Sequence, residues 1–483
     1  MHADGPGPVP ADDSPLDAGP AGRPGRRRVL KAIGAGAAAV SFGAVGTGTA
    51  RADEEQFTDA IVIGAGYAGG TVARELGAKG LTSVVLEARD RIGGRIWTST
   101  WAGEQIELGG QWVSPSHRLV NAELARYRIG IVRDPDPQRV AVARGGRLEH
   151  VAPAEAAALL EPLWKEFYKG SEQYFERPAE PLYRKDLLAA VDPLSVADRL
   201  RQMNLSPAER DLISGDTAAY CGGSLQNGSL TGMAQWYQLS GGTYDSYSTT
   251  IGSRPAGGMT ALLQAMLQDS GARVRLNSPV AKVTQSGSRV VVETRDGRRY
   301  AARTVVVATP ANVWRNITFA PGLPPAHARA TAQGIGLPSG TKMVLHVKGE
   351  VEAIGGTATE GSPILMMVPQ KQLADGRLMV AFPGPQLNVA DPVQVQQAVR
   401  QWIPGAQVLA SRAMEWGKDP FSAGSWGLRR PGQLLGLFPQ IEQPHGRILF
   451  AGADIAQGWH GAYIEGAVES GKRAAQQALQ LLA

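Results

Sequence analysis

The chain of 483 residues holds one cysteine, Cys221. A single thiol excludes an intramolecular disulfide framework, a cysteine-ligated iron–sulfur centre and a Cys-x-x-Cys redox pair. No apolar run is strong enough for a membrane span, so no stable membrane insertion is expected. There is no His-Glu-x-x-His zinc pattern and no Gly-x-Ser-x-Gly nucleophile elbow. No internal repeat is visible. Neither sign of charge dominates: 49 Lys and Arg stand against 44 Asp and Glu, a formal net charge of +5. Nothing there argues for nucleic acid or an anionic membrane as partner. With 43% apolar and 19% charged residues the chain can bury a sizeable core, which excludes bulk disorder. What it has in excess is glycine, 60 residues, which predicts tight turns and close backbone approaches to something bound. The length exceeds one ordinary core and predicts two domains or interleaved lobes.

Residues 1–52 stand apart. A Pro/Gly/Asp/Ala-rich stretch precedes Arg26-Arg27-Arg28-Val29-Leu30-Lys31, a mild Ala/Gly run and Ala50-Arg51-Ala52. This order resembles a twin-arginine export signal with cleavage near Ala52. That route carries proteins folded around their cofactors, so the expected location is periplasmic or secreted.

The next segment is the most informative. Asp59-Ala60-Ile61-Val62-Ile63 reads as a strand, followed at once by Gly64-Ala65-Gly66-Tyr67-Ala68-Gly69. Thr71 to Ala78 reads as a helix, and Leu81 to Leu86 as a second strand ending at Glu87. Strand, glycine turn, helix, strand and acid make a dinucleotide-binding βαβ unit. Gly64 allows the turn, Gly66 lets the backbone approach a pyrophosphate, and Gly69 lets the helix pack on the strand. Unpaired N–H groups and the helix dipole would hold the phosphates. Glu87 would accept from ribose hydroxyls. Ala88-Arg89 and Gly93-Gly94-Arg95 follow, and then Glu107-Leu108-Gly109-Gly110-Gln111-Trp112. The two Gly-Gly pairs imply a second backbone-lined groove, with Arg95 supplying charge to the pyrophosphate and Gly109-Gly110 admitting a flat ring.

These residues resemble the flavin-containing amine oxidases of the monoamine oxidase type. The resemblance touches most of residues 57–115, 255–345 and 412–475. It implies FAD rather than NAD, and an α/β fold in which a Rossmann-like FAD-binding domain is interleaved with an α+β substrate-binding domain. The expected division is 1–52 signal and extension; 53–119, 255–322 and 441–483 FAD domain; 120–254 the helical and 323–440 the sheet part of the substrate domain. The far end agrees: a strand through Phe450 runs into Gly452-Ala453-Asp454, followed by Gly458-Trp459-His460-Gly461-Ala462-Tyr463-Ile464 and a closing helix. In the family this segment closes over the flavin, and the helix dipole stabilises charge at the pyrimidine edge. One more residue than usual separates the tryptophan from the Glu-Gly pair, so either Tyr463 or Ala462 faces substrate. By the same resemblance Val280 sets its backbone against adenine.

Lys342 lies in a β-run, where a lysine alone often serves as an edge guard. The family context instead aims it at flavin N5, holding a water. Trp416 is implied beside the benzene ring. Covalent members carry cysteine where this chain has Ser425, which implies noncovalent FAD. Trp426 and Tyr463 are implied as the walls of an aromatic cage that orients an amine. The tryptophan cage, missing cysteine and export signal resemble the bacterial nicotine and pseudooxynicotine oxidoreductases. The implied reaction is hydride transfer from the carbon alpha to nitrogen onto N5, then hydrolysis of the imine. The acceptor is O2, giving hydrogen peroxide, or a cytochrome c. An L-amino-acid oxidase, with Arg118 as the candidate for the carboxylate, a polyamine oxidase, and an electron-transfer flavoprotein stay open as alternatives. A homodimer is compatible with the sequence. His117, His346 and His460 have no obvious partner, and Gly466 to Arg473 imitates a phosphate loop within a helical pattern.

Overall fold

A computed structural model describes residues 57–483; the segment expected to be an export signal lies outside the described residues. The strand Phe57–Ile63 is buried along most of its length. It pairs in parallel with Ser83–Leu86 on one side and Arg299–Val307 on the other. Parallel pairing with both faces covered explains why these runs are continuously apolar rather than alternating. Arg273–Arg275 extends the sheet past Ser83–Leu86. Beyond Arg299–Val307 the sheet continues through the antiparallel strands Arg289–Thr294 and Val280–Ser286. The late strand Ile448–Phe450 pairs with the second half of Arg299–Val307, and so brings the C-terminal segment beside the N-terminal glycine turn. The helices Tyr67–Gly77, Met259–Asp269 and Ile464–Leu482 contribute to one buried cluster with this sheet.

The glycine turn fits that packing. Gly64 has φ +107°, a left-handed-side geometry that side chains rarely adopt. Gly69 faces the strand: a Cβ there would sit 2.0 Å from the Gly64 carbonyl oxygen. Gly69→Ala should therefore push the helix off the sheet and cost about 1–3 kcal/mol, the range of core overpacking. A melting curve of the variant checks this.

A second sheet runs in the order Val408–Glu415, Thr341–Lys348, Gly376–Pro383, Ile364–Gln372, Ile354–Thr357, Arg139–Arg144, Arg147–Val151. On Thr341–Lys348 the alternation is strict. Met343, Leu345 and Val347 pack with Val395, Val399 and Trp402 of the helix Pro392–Trp402. Val344 packs on Ile106 and Leu108 from the opposite side. Lys342 shares the parity of Val344, so its side chain points at the Glu107–Gln111 segment.

Between the two sheets' sequence segments lie the helices Pro153–Phe167, Ser171–Tyr174, Lys185–Val191, Val196–Gln202, Pro207–Ala218, Leu230–Ser240 and Tyr244–Ser248. Pro162 lies inside the first of them. Reciprocal capping boxes, Ser195 with Asp198 and Ser206 with Glu209, start two of them. Among the described residues no helix is long and apolar enough to cross a membrane.

Candidate active site

One continuous cavity runs from the glycine turn to the helical segment. At its first end Glu87 is buried at the tip of its strand. Its carboxylate accepts from the Ala65 N–H at 2.9 Å and the Arg89 N–H at 3.0 Å. Glu87 thereby fixes the turn it faces. The helix Tyr67–Gly77 starts at Gly66 with no side-chain cap and no acidic residue in its first turn. Its first N–H groups have no intrahelical acceptor and point at the cavity, which suits an anion. Tyr67, Ala68, Ala88, Arg89, Gly94, Arg95 and Val280 line this end.

Arg95 is held in place from behind. Its guanidinium donates to the Ser425 carbonyl and to Asp454 Oδ1, both at 2.8 Å. Asp454 also accepts from the Ala311 N–H at 3.1 Å. Two expected cofactor contacts therefore stand outside the cavity wall: Gly69 packs the helix on the strand, and Asp454 aims Arg95. The remaining cofactor positions, including Gly64, Gly66, Gly110, Gln111, Trp112, Trp416, Gly452 and Ile464, line the cavity.

The middle of the cavity is built on Lys342. Its Nζ donates to the Gly109 carbonyl at 2.9 Å and to Gln111 Oε1 at 2.6 Å, and sits 5.2 Å from the Trp112 ring centroid. Burial pushes its pKa down to about 7, and the Glu107 and Asp134 carboxylates pull the other way. Asp134 organises this floor. It accepts from Gln111 Nε2 at 3.1 Å, Trp112 Nε1 at 2.8 Å and Arg254 Nε at 2.8 Å. Neither Asp134 nor Arg254 carried a signal in the sequence, because their partners lie on other segments. The Trp416 indole donates to the Leu108 carbonyl at 2.9 Å.

Trp426 and Tyr463 both line the far end, and so does Ala462. The Trp426 indole donates to the Tyr220 carbonyl at 3.0 Å, and its ring meets Phe382 edge-on at 5.7 Å. Tyr463 is wedged among Trp459 at 4.5 Å, His117 at 5.2 Å and Trp236 at 5.5 Å. Burial pushes the Tyr463 phenol up to about 12 and His117 down to about 3, so both are neutral near pH 7. Ala219, Tyr220, Thr250, Ile251, Met366 and Phe382 complete this end. Sequence reasoning missed all six, since they come from helix ends and sheet positions without a motif. Arg118 is exposed and does not line the cavity. His346, expected to lack a partner, sits 3.1 Å from Asp375. The phosphate-loop imitation at 466–473 is interior to the helix Ile464–Leu482.

The cavity fits a flavin dinucleotide. Its glycine turn and Arg95 suit a pyrophosphate. Two buried hydroxyls in its wall, on Thr309 and Ser425, have no hydrogen-bond partner among the described residues. Such groups are seldom left unsatisfied in a folded protein. The helix Ile464–Leu482 also begins at the cavity, at Tyr463, without a side-chain cap. Its Glu465 is occupied elsewhere, accepting from the Leu119 and Val120 N–H groups at 2.7 and 2.8 Å. The positive end of this second helix is thus free for a ring that gains negative charge.

Comparison with known proteins agrees with this geometry. Residues 67–479 match the family described as flavin containing amine oxidoreductase. A nicotine dehydrogenase of Pseudomonas putida (strain DSM 28022 / S16) is 35% identical over 432 residues, covering 88% of this chain and 89% of that protein. A pseudooxynicotine dehydrogenase of Pseudomonas sp. is 32% identical, covering 88% of this chain and 86% of that protein. A putrescine oxidase structure with bound putrescine superposes with TM-score 0.76 at 22% identity, covering 88% of this chain and 99% of that one, a likeness of fold.

Proposed function

The chain belongs to the flavin-containing amine oxidoreductases, and from that premise we propose that it oxidises a small, alkaloid-like secondary or methylated amine on noncovalently held FAD. Similarity to a nicotine dehydrogenase and a pseudooxynicotine dehydrogenase supports the substrate class. The same two names favour a one-electron carrier such as a cytochrome c over O2 as acceptor. The twin-arginine-type signal supports a periplasmic or secreted location, where such a carrier is met. Ser425 in the wall, with no cysteine there, supports a flavin without a covalent bond.

The observation that carries the substrate reading is the apolar, aromatic far end. Glu87, at the opposite end, is the one carboxylate in the cavity wall among the described residues. The arginines of the wall, Arg89, Arg95 and Arg295, belong to the glycine-turn end: Arg89 is tied to Asp419 and Ser422, Arg95 to Asp454, and Arg295 stacks near Phe421. An amino-acid oxidase needs a cation near the reacting carbon, and Arg118 does not supply it.

FAD, when bound, supplies the two-electron acceptor for the hydride leaving the carbon next to nitrogen. The protein's part is to present a neutral amine, since the nitrogen lone pair forms the C=N bond as the C–H bond breaks. Trp426, Phe382 and Tyr463 desolvate the amine and so disfavour its charged form. Lys342 donates two hydrogen bonds and stands where a water can be held for imine hydrolysis, which yields a carbonyl compound and a released amine. Anaerobic titration of the yellow protein with a panel of amines tests this reading. A nicotine-like amine should bleach the flavin absorbance, and acid precipitation should release free FAD. Trp426→Ala should raise the half-saturating amine concentration at least tenfold while the flavin stays bound, because one wall of the cage is gone. A protein that no amine bleaches would defeat the proposal.

A further inference from the structure

The floor beneath Lys342 hangs on a residue that does not itself line the cavity. Asp134 directly follows the short strand Ile131–Arg133, which pairs antiparallel with Ser253–Pro255. Its N–H donates to the Gly252 carbonyl at 2.7 Å, and the Val113 N–H donates to the Ser253 carbonyl at 2.8 Å. This ribbon brings Asp134, Arg254 and the segment after Gly110 together. The Asp134 carboxylate is buried, and both its oxygens accept: Oδ2 from Gln111 and Trp112, Oδ1 from Arg254. An acceptor on both oxygens is the ionised form, and Arg254 is its counter-cation.

These bonds decide which way Gln111 points. An amide has a donor end and an acceptor end. Gln111 Nε2 lies between two acceptors, Asp134 Oδ2 at 3.1 Å and Gln370 Oε1 at 3.3 Å. Gln370 Oε1 is turned there because its own Nε2 donates to the Pro369 carbonyl at 3.1 Å. A flipped Gln111 would set its oxygen against a carboxylate oxygen. It would also take from Lys342 the acceptor that Nζ holds at 2.6 Å. Asp134 holds the Trp112 indole as well, whose ring centroid lies 5.2 Å from Lys342 Nζ and 6.1 Å from the Phe382 ring. The lysine's acceptor and one aromatic neighbour of the far end thus hang on one carboxylate.

We propose that Asp134 is a positioning residue for the reaction: it orients the Gln111 acceptor beneath Lys342 and fixes the Trp112 ring beside it, with Arg254 balancing its charge. The inference rests on the reading that Lys342 serves the flavin, and deepens it. Asp134 acts through Gln111, through Trp112 and through its field. The charged groups that bear on Lys342 come from separate elements: Glu107 from the strand Glu104–Glu107, Asp134 and Arg254 from the ribbon. Burial pushes the lysine's pKa down to about 7; the two carboxylates raise it and the Arg254 guanidinium lowers it. Glu107 is held independently, by the Thr98 hydroxyl at 2.8 Å and the Met259 N–H at 2.9 Å. It stays in place when Asp134 or Arg254 is changed. Removing the charge of Asp134 and removing that of Arg254 should therefore move the lysine's titration in opposite directions.

The test titrates the resting, FAD-loaded enzyme with no amine present. Charge near a flavin ring alters its electronics, so the absorbance band should pass through a transition near pH 7 that Lys342→Met lacks. Asp134→Asn should lower the midpoint and Arg254→Gln should raise it, each by about 0.5–1 unit, less than directly paired charges give. Arg254→Lys keeps the charge and should leave the midpoint in place. In Asp134→Asn the Gln111 amide is free to turn. Flavin bleaching by an amine that reduces the wild type should then slow about 10-fold or more, the cost of a misplaced group. Measured at a pH above both midpoints, that loss reports orientation and not charge. Retained flavin and a cooperative melting curve certify that each variant is folded; if one charge-removing variant is lost, the sign of the other's shift decides. A wild type without a transition, an unmoved midpoint or two shifts of the same sign overturns the proposal, and so does bleaching of Asp134→Asn at the wild-type rate. The titration needs no substrate. If it succeeds in a protein that no amine bleaches, the control of Lys342 by Asp134 stands and the amine-oxidation reading falls.

Discussion

Lys342→Met is expected to slow turnover by about 10²–10⁴-fold, the range typical of a lost proton-transfer group, while FAD remains bound. The side chain stays long and apolar enough to fill its place on the strand, so the loss reads the amine and not the packing. Lys342 is buried at the floor of the cavity with two acceptors, Gly109 O and Gln111 Oε1, so the neutral amine spends both its hydrogens there and offers a water its lone pair. Burial lowers its pKa to about 7, so the neutral amine gains population as pH climbs through that value. The wild-type rate should therefore rise across pH 7, and the methionine variant should lack that limb. The stability sign is the same. Between about 7 and the ordinary lysine range the unfolded chain binds the proton that the folded chain has released, so wild-type stability increases with pH there. Rapid-mixing measurements of flavin bleaching and recovery, run across pH, decide the matter. A variant with near-normal rates in both halves removes Lys342 from the chemistry.

The parts of this site that were legible in the sequence are those whose chemistry is local. Gly64 to Gly69 and Glu87 lie within one βαβ unit, and the backbone geometry the turn requires can be read from the residues themselves. Lys342 was legible only through resemblance, because a lysine on a strand is by itself ambiguous; the alternation that buries Met343 and Leu345 on one face settles where it points. Asp454 shows the limit of contiguity. It adjoins the Gly452 turn, yet its carboxylate is turned to Arg95 and the Ala311 N–H rather than to the cavity. The floor residue Asp134 gathers Gln111, Trp112 and Arg254 from separate stretches of chain. The substrate end was hidden for the same reason. Tyr220 follows a helix end, Thr250 a short helix, and Phe382 belongs to the second sheet, so only the packed fold brings them together.

Gly66→Val is expected to give a folded but colourless protein, and the reason separates it from its neighbours. Gly64 needs its positive φ, and Gly69 has the Gly64 carbonyl against it, so side chains at either would disturb the fold as well as the site. Gly66 has φ −88° and ψ −175°, open to any residue. A Cβ there would meet nothing nearer than the Gly93 carbonyl oxygen at 3.7 Å, an ordinary contact. The apoprotein thus has room for a side chain at this position. The room it fills is the approach to the uncapped N–H groups of the helix Tyr67–Gly77, which a pyrophosphate must reach. Valine should therefore abolish FAD retention through purification, with a circular dichroism spectrum and a melting temperature matching those of wild-type apoprotein. A yellow variant with the wild-type flavin content would mean that the phosphates lie elsewhere. The glycine turn would then be a packing device for helix and strand, and the assignment of this end of the cavity to the cofactor would fail with it.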